Sequence, residues 1–254
     1  MISTHSINSL SQYIDFIVNQ EHRDISQWLF RGHSDETYEL TPSLFRINIK
    51  DSFRDWNDVE KYIMTQFKKQ AIPYLKYSPS NELEWLAIAQ HYGLPTRLLD
   101  WTTNALVALF FAVENHYNDK NANVWLYGIP SLNNCLEEST WISRRIDLDS
   151  NHEHIIFPNH IDSRITNQSG CFTIHDFPEK NNVFIPLNEQ KYNLSDAFTF
   201  VKITIDADKK KDILNELYYV GIHQEFIYPD LGGLTAKLKF ELNTTHKRNT
   251  IIKS

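Results

Sequence analysis

The feature that most constrains the fold is a nine-residue run, ALVALFFAV at 105–113, that is apolar on every side. A helix with no polar face must be buried, so we predict a helix that begins near Thr103 or Asn104 and lies at the centre of the fold. Nine residues are too few to cross a bilayer, which takes about 20. The N-terminus also lacks a signal-peptide pattern, and the sequence therefore predicts a cytoplasmic protein with no membrane partner.

Charge and glycine content exclude several classes of function. The chain has 25 basic and 32 acidic side chains, a formal net charge of −7, which argues against a protein that mainly grips nucleic acid through phosphates. With seven glycines and no GxGxxG or GxxxxGK[ST] motif, dinucleotide-fold and P-loop assignments lose their main signal. Cys135 and Cys171 suit neither a disulfide framework nor a zinc ligand set, and the loop histidines His152, His154 and His160 lack a positioned further ligand. No metal site is predicted.

Hydrophobic periodicity predicts one α+β domain over residues 1–254, with helices mainly in the first half and strands mainly in the second. No linker or repeat divides the chain. A polar stretch at 133–158 is predicted to be a mobile loop. The predicted helices cover 7–18 with Ser6 as N-cap, 55–71, 81–91, 208–220 ending at Gly221, and 231–242; the predicted strands cover 26–32, 124–129, 171–175, 183–187 and 198–205.

The first candidate site is the segment WLFRGH at 28–33. Arg31 at a strand end can present its planar donor fork to a phosphate or carboxylate, and His33 follows two residues later. Gly32 lets a ligand or another strand approach the backbone. The alternative is that Arg31 belongs to a structural ion pair, and the residues alone leave both interpretations open.

The second candidate site is the polar tract HYGLPTRLLDWTTN at 91–104, directly before the apolar helix. Polar groups this concentrated must be satisfied by one another, by helix-end donors or by a ligand. The helix N-terminus near Thr103 is suited to anions. Alternatively, Asp100 and Thr103 only cap, and Arg97 pairs with Asp100. The candidate ligand-binding residues here are His91, Tyr92, Thr96, Arg97, Asp100, Trp101, Thr102 and Thr103.

Two later residues are candidates on weaker grounds. Gln168, in RITNQSGCF at 164–172, is interpreted equally well as part of a polar turn or as a site residue that donates and accepts hydrogen bonds. Glu225 lies between two predicted helices, where the residues do not decide between structure and catalysis. Asp230 in the same segment is predicted to be a helix N-cap.

These clusters, in this order, resemble the FRG domain family, named for the triplet found here at 30–32. The resemblance includes PSLFR at 42–46, HYGLPTRLLDWT at 91–102, FFA at 110–112, the pattern around Gln168, and YPDLGG at 228–233, where Tyr228 replaces an expected phenylalanine. It spans about residues 26–238, which implies that nearly the whole chain is one such domain.

The order of motifs is also similar, more distantly, to that of ADP-ribosyltransferases. This resemblance implies that Arg31 anchors NAD phosphates and that Thr102 and Thr103 form the Ser/Thr element. Gln168 occupies the position of the family's glutamate, and because glutamine carries no charge, Glu225 or another carboxylate would have to act in its place. An ADP-ribosyltransferase-like fold is implied as well, as an analogy between folds.

Two functions are therefore expected in order. The first is an ADP-ribosyltransferase-like or NAD-cleaving enzyme, with NAD as substrate, no required cofactor and a protein or nucleic-acid acceptor, acting as a bacterial toxin or phage-defence effector. The alternative is a non-catalytic module that binds a nucleotide or other phosphorylated small molecule through the same arginines. In both, Arg31 and the 91–104 tract must face one hollow.

Overall fold

An eight-stranded sheet organises the protein, in a computed structural model that describes residues 2–19, 25, 27–49, 52–75, 79–129, 135–136, 154–157, 167–178, 183–189 and 199–243. The strands are β1 Ser3–Ile7, β2 Gln27–His33, β3 Leu98–Thr102, β4 Ala122–Ile129, β5 Cys135–Leu136, β6 His154–Ile156, β7 Gly170–Ile174 and β8 Thr199–Ile205. Their order is β1-β8-β4-β2-β3-β7-β6-β5. The pairs β1–β8 and β5–β6 are parallel, and the others are antiparallel.

Seven α-helices within the described ranges cover this sheet. They are α1 Leu10–Val18, α2 Trp56–Ala71, α3 Glu82–His91, α4 Ala105–Val113, α5 Lys210–Tyr219, α6 Gln224–Ile227 and α7 Leu231–Asn243. One apolar core joins α1, α4 and α5 to strands β2, β4 and β8, and another joins α2 and α3 to β3, β6 and β7. One sheet runs through both halves of the chain, which confirms the α+β class in a single domain.

Helix α4 lies at the centre, as its composition predicts. Six of its nine residues are buried, and it packs directly on β2. A Cβ added at Gly32 would lie 1.9 Å from the carbonyl oxygen of Ala108 and 2.6 Å from the backbone nitrogen of Ala112. The glycine of the FRG triplet therefore lets strand and helix backbones touch, and no larger residue fits there.

Most other predicted elements are confirmed to within a few residues, including the long helix α2 and the strands β2, β4, β7 and β8. Gly221 follows α5 with φ +88°, the left-handed conformation expected of a residue that ends a helix. Asp230 caps α7 as predicted, since its carboxylate accepts a 2.8 Å hydrogen bond from the backbone of Gly233.

Four predictions about elements require correction. Residues 3–7 form a strand that pairs with β8, so α1 begins only at Leu10, and its N-cap is Ser9 instead of Ser6. Residues 98–102 form strand β3 inside the tract that was expected to be a loop between helices. Residues 183–186 are not a strand, and a short 3₁₀ turn follows at Leu187–Glu189.

The predicted loop at 133–158 is described only at 135–136 and 154–157. These residues contribute β5 and β6 at one edge of the sheet, so the expected irregular loop contains at least two strands. The rest of that prediction lies outside the described residues.

Candidate functional site

A cleft opens where two neighbouring strands separate. In the described strands, β2 and β3 pair at a single position, Phe30 opposite Thr102, and then diverge. The resulting cleft has a volume of about 440 Å³, within the range of small-molecule sites. It is lined by Phe30, Arg31, Gly32, His33, Ser34, Tyr38, Arg46, His91, Asp100, Trp101, Thr102, Phe111, Glu114, Gln168, Gly170, Cys171 and Phe172.

Arg31 crosses the gap between the diverging strands. Its Nη1 donates to the carbonyl oxygen of Asp100 at 2.7 Å and lies 3.5 Å from the carboxylate oxygen Oδ2 of the same residue. Its Nε donates to Nε2 of His33 at 2.9 Å. Within the described part of the chain Nη2 has no hydrogen bond, and the side chain is 20% exposed. The guanidinium is thus held in place at two of its three nitrogens.

The charges around Arg31 suit an anion. Burial lowers the pKa of Arg31, Asp100 opposes that shift, and the nearby guanidinium of Arg46 adds to it. Burial and the charge of Arg31 hold the pKa of His33 well below its usual range. His33 is therefore neutral, and its Nε2 accepts the hydrogen bond from Nε of Arg31. Because an arginine keeps its proton, two like charges face one cleft, and a bound anion would relieve their repulsion.

Polar partners fix the wall opposite Arg31. Gln90 donates from Nε2 to Oδ2 of Asp100 at 2.8 Å, and its own carbonyl oxygen accepts a hydrogen bond from the hydroxyl of Thr96. Thr96 is fully buried and therefore acts on the cleft only through Gln90. The hydroxyl of Thr102 donates to the backbone carbonyl of Gln168 at 2.6 Å, which joins β3 to the start of β7.

Gln168 lines the cleft, but its amide nitrogen is engaged. It donates to the carbonyl oxygen of Ile227 at 3.1 Å, while Asn167 donates to that of Phe226 at 2.9 Å. Both side chains thereby attach the start of β7 to the short helix α6. The carbonyl oxygen of the Gln168 amide remains the part of this side chain that is suited to contact a ligand.

Glu114 is one of the cleft residues that sequence reasoning missed. It follows α4 directly, is half-buried, and accepts a 3.0 Å hydrogen bond from the hydroxyl of Tyr228. Burial raises its pKa to about 7, and the bond from Tyr228 opposes that shift. An acidic residue at the end of an entirely apolar helix is a signal available in the sequence, because such a helix carries its terminus into the core.

Arg97 lies away from the cleft. Its Nε is 3.2 Å from Oε2 of Glu60, its guanidinium packs over the ring of Phe177 at 4.7 Å, and its side chain is 12% exposed. The alternative in which Arg97 pairs with Asp100 is wrong, because Asp100 faces Arg31. The second arginine of the cleft is Arg46, from the PSLFR motif.

Four further predicted site residues also lie outside the cleft lining. Glu225 pairs with Lys237 at 2.7 Å, Tyr92 is 68% exposed, and Thr96 is buried. The fourth, Thr103, uses its backbone nitrogen to donate to the carbonyl of Ser169. The expected cap of α4 by Asp100 or Thr103 is wrong.

The cap of α4 is Asn104. Its side-chain oxygen accepts from the backbone nitrogens of Leu106 at 3.0 Å and Val107 at 3.4 Å. These are donors of the first helical turn, which an anion bound at this end would otherwise use. The helix N-terminus is therefore not an open anion site.

The described ranges contain neither a cluster of metal ligands nor a membrane-spanning helix. No group of three or more His, Cys, Asp or Glu side chains gathers there in a way that suits a metal ion; His152 and His160 lie outside those ranges. No described helix combines the length and the hydrophobicity needed to cross a membrane.

The FRG triplet and the polar tract opposite it both lie within one recognised domain. A family model of the FRG domain matches residues 26–121, and this part of the chain is an FRG domain. The match is shorter than the 26–238 expected from the motifs, but it contains Arg31, Arg46, His91, Asp100 and Glu114. No curated protein and no solved structure matches the chain.

Proposed function

We propose that the protein is an enzyme that binds NAD in this cleft and breaks the bond between nicotinamide and ribose, with ADP-ribose passed to water or to a protein or nucleic-acid acceptor. The observation that carries the proposal is the pairing of Arg31 and Arg46 at the mouth of a 440 Å³ cleft. Two guanidiniums that face one hollow suit a pyrophosphate, which carries two negative charges.

The rest of the lining supports a nucleotide rather than a bare anion. The rings of Tyr38, Phe111 and Phe172 border the cleft and offer flat apolar surface to a base or to nicotinamide. The side-chain carbonyl oxygen of Gln168 and the ring of His91 also line the cleft and supply polar groups suited to ribose hydroxyls. An arginine end, aromatic walls and these polar groups correspond to the phosphate, base and sugar of a nucleotide.

The chemistry also suits the site. Loss of neutral nicotinamide leaves positive charge on the ribose, so the reaction depends on positioning and on nearby negative charge more than on strong acid catalysis. Such an enzyme needs no added cofactor. Because depletion of NAD harms a cell, we propose a role as a bacterial toxin or phage-defence effector that acts in the cytoplasm.

The test is to incubate the purified full chain with NAD and to measure nicotinamide release together with transfer of labelled ADP-ribose. We expect turnover in the wild type and a loss of at least about 100-fold in Arg31→Ala, because the pyrophosphate loses its anchor. Arg54→Ala is the matched control: Arg54 is paired with Asp58 on α2, outside the cleft lining, and its removal should leave the rate unchanged.

Unchanged NAD with no labelling, in folded wild-type protein, would contradict the enzymatic proposal. The second candidate function, a non-catalytic module for a phosphorylated ligand, is favoured by the engagement of the Gln168 amide and by the position of Glu225 outside the cleft. It predicts that NAD or ADP-ribose raises the melting temperature in an Arg31-dependent way without turnover.

A further inference from the structure

We infer that Glu114 is a catalytic residue of this cleft, the group that takes the proton from the attacking nucleophile. This inference rests on the proposed function. It names the carboxylate that would act in place of the glutamate, because Gln168 carries no charge and Glu225 lies outside the cleft lining. It is carried by position, by hydrogen bonding and by the absence of a cationic partner among the described residues.

The position of Glu114 is fixed by buried structure. Its backbone nitrogen donates to the carbonyl of Phe110 at 2.8 Å, which continues the pattern of α4. The ring of Tyr228 contacts those of Phe110 and Phe111, at 6.5 Å and 6.4 Å between centroids, and its hydroxyl donates to Oε2 of Glu114. One carboxylate oxygen is therefore held, and the other keeps its capacity to accept a proton from a molecule in the cleft.

The carboxylates near the cleft differ in their partners. Asp100 faces Arg31 and accepts a bond from Gln90, so its charge is already compensated. Among the described residues, Glu114 has no ion pair, and its side chain is bonded only to the neutral hydroxyl of Tyr228. A half-buried carboxylate without a cation is costly to the fold, and such groups concentrate where chemistry needs them.

The electrostatics match the task of a general base. With its pKa near 7, Glu114 is ionised in an appreciable fraction of molecules and also holds a proton readily. Tyr228 is the group that contacts it directly. The other charged and titratable groups that line the same cleft are Arg31, His33, Tyr38, Arg46, His91, Asp100 and Cys171.

The proposed step balances as follows. The C–N bond between the ribose and nicotinamide breaks, and its electron pair leaves with nicotinamide as a neutral molecule. The oxygen of water or of an acceptor hydroxyl forms a C–O bond with the same ribose carbon. The proton of that oxygen passes to the carboxylate of Glu114, and solvent removes it later. No oxidant or reductant is required.

The experiment compares the pH dependence of NAD turnover in the wild type and in Glu114→Gln. We expect the wild-type rate to rise with pH through an apparent pKa near 7 and then to reach a plateau. The plateau rate of Glu114→Gln should be lower by about 100-fold or more, and its rate should no longer rise through that pKa. ADP-ribose should still raise the melting temperature of the variant, which shows that its cleft is folded and binds.

Two further variants sharpen the test. Tyr228→Phe keeps the ring but removes the hydrogen bond that lowers the pKa of Glu114. The rise of the turnover rate with pH should therefore move to higher pH, while the plateau rate is largely retained. Glu241→Gln is the matched control, because Glu241 also accepts a hydrogen bond from a tyrosine hydroxyl, that of Tyr218, but lies on α7 outside the cleft lining. Its profile should match the wild type.

The outcomes separate the two proposals. A wild type that does not cleave NAD overturns both. A wild type that cleaves NAD while Glu114→Gln keeps its rate and its pH profile overturns only the role of Glu114. If Glu114→Gln does not fold, the test is Tyr228→Phe: a turnover rate that rises with pH at the same position as in the wild type overturns that role.

Discussion

The two arginines singled out in the sequence have opposite environments. Arg31 is held by His33 and Asp100 at the opening of the cleft and keeps one nitrogen free within the described structure. Arg97 is paired with Glu60 where both side chains are nearly buried, at 12% and 11% exposure. Both lie beside an acidic residue, so the residue types alone do not distinguish them.

The difference shows what makes an arginine available to a ligand. The carboxylate that faces Arg31 belongs to Asp100, whose side chain is 54% exposed, and the pair lies 3.5 Å apart at the solvent boundary. The charge of Glu60 is enclosed with Arg97, and the ring of Phe177 covers the guanidinium. The first pair is weak and open, whereas the second is a structural element of the core.

The largest expected effect is on stability at the buried pair. Arg97→Ala leaves the carboxylate of Glu60 enclosed without its partner, and loss of one member of such a pair costs about 3 to 5 kcal/mol. Arg31→Ala should cost about 1 kcal/mol or less, because its partner is solvated. Urea denaturation followed by circular dichroism measures both.

The control for that prediction is the double variant Arg97→Met with Glu60→Leu. Replacing both members by apolar residues removes the uncompensated charge and should restore most of the lost stability. If Arg31→Ala costs as much as Arg97→Ala, the division into an open and a structural arginine is wrong.

The next effect concerns Glu114, a cleft carboxylate that has no ion pair among the described residues. Because the pKa of Glu114 is raised to about 7 in the folded protein, the folded state binds more protons than the unfolded state between pH 4.5 and 7. The contribution of Glu114 to the free energy of unfolding is therefore present below pH 4.5 and is lost as pH rises through 7, by about 3 kcal/mol.

The measurement is the difference in unfolding free energy between the wild type and Glu114→Gln across that pH range. The difference should move in favour of the variant as pH rises, since glutamine does not ionise. Other groups titrate in both proteins and cancel in the difference. A difference that stays constant with pH would show that Glu114 has an ordinary pKa.

The smallest effect is expected at Arg46, which lines the cleft but is exposed to solvent. Arg46→Ala should weaken ADP-ribose binding by about threefold to tenfold, with the unfolding free energy unchanged. Calorimetry at low and high salt checks this, because a screened surface charge contributes less at high ionic strength. Equal loss at both salt concentrations would indicate direct, desolvated contact instead.

Local pattern predicted much of the fold. An entirely apolar helix such as α4 has only one stable location, and α2 and β2 follow from periodicities that hold over many residues. The errors at β1 and at 183–187 concern short segments. There, pairing with β8 makes residues 3–7 a strand, whereas residues 183–187 pair with none of the described strands.

The candidate site was predictable only in part. Arg31, His91 and Gln168 line one cleft as expected, since the motifs that contain them are dense in polar groups. The partner of Arg97 lies 37 residues earlier in the chain, at Glu60, and no spacing rule connects the two. Glu225 pairs with Lys237 outside the cleft lining, whereas Glu114, which no motif indicated, lines the cleft because α4 carries it there.

The sequence by itself determined the FRG domain at 26–121, the mixed class of fold and the central place of α4, because these depend on motifs and on hydrophobicity along the chain. The tertiary structure alone decided which charges meet. The divergence of β2 from β3 creates the cleft, and the enclosure of Glu60 removes Arg97 from it. Both follow from long-range packing, in which the partner of a charge is set by proximity in space and not by spacing along the chain.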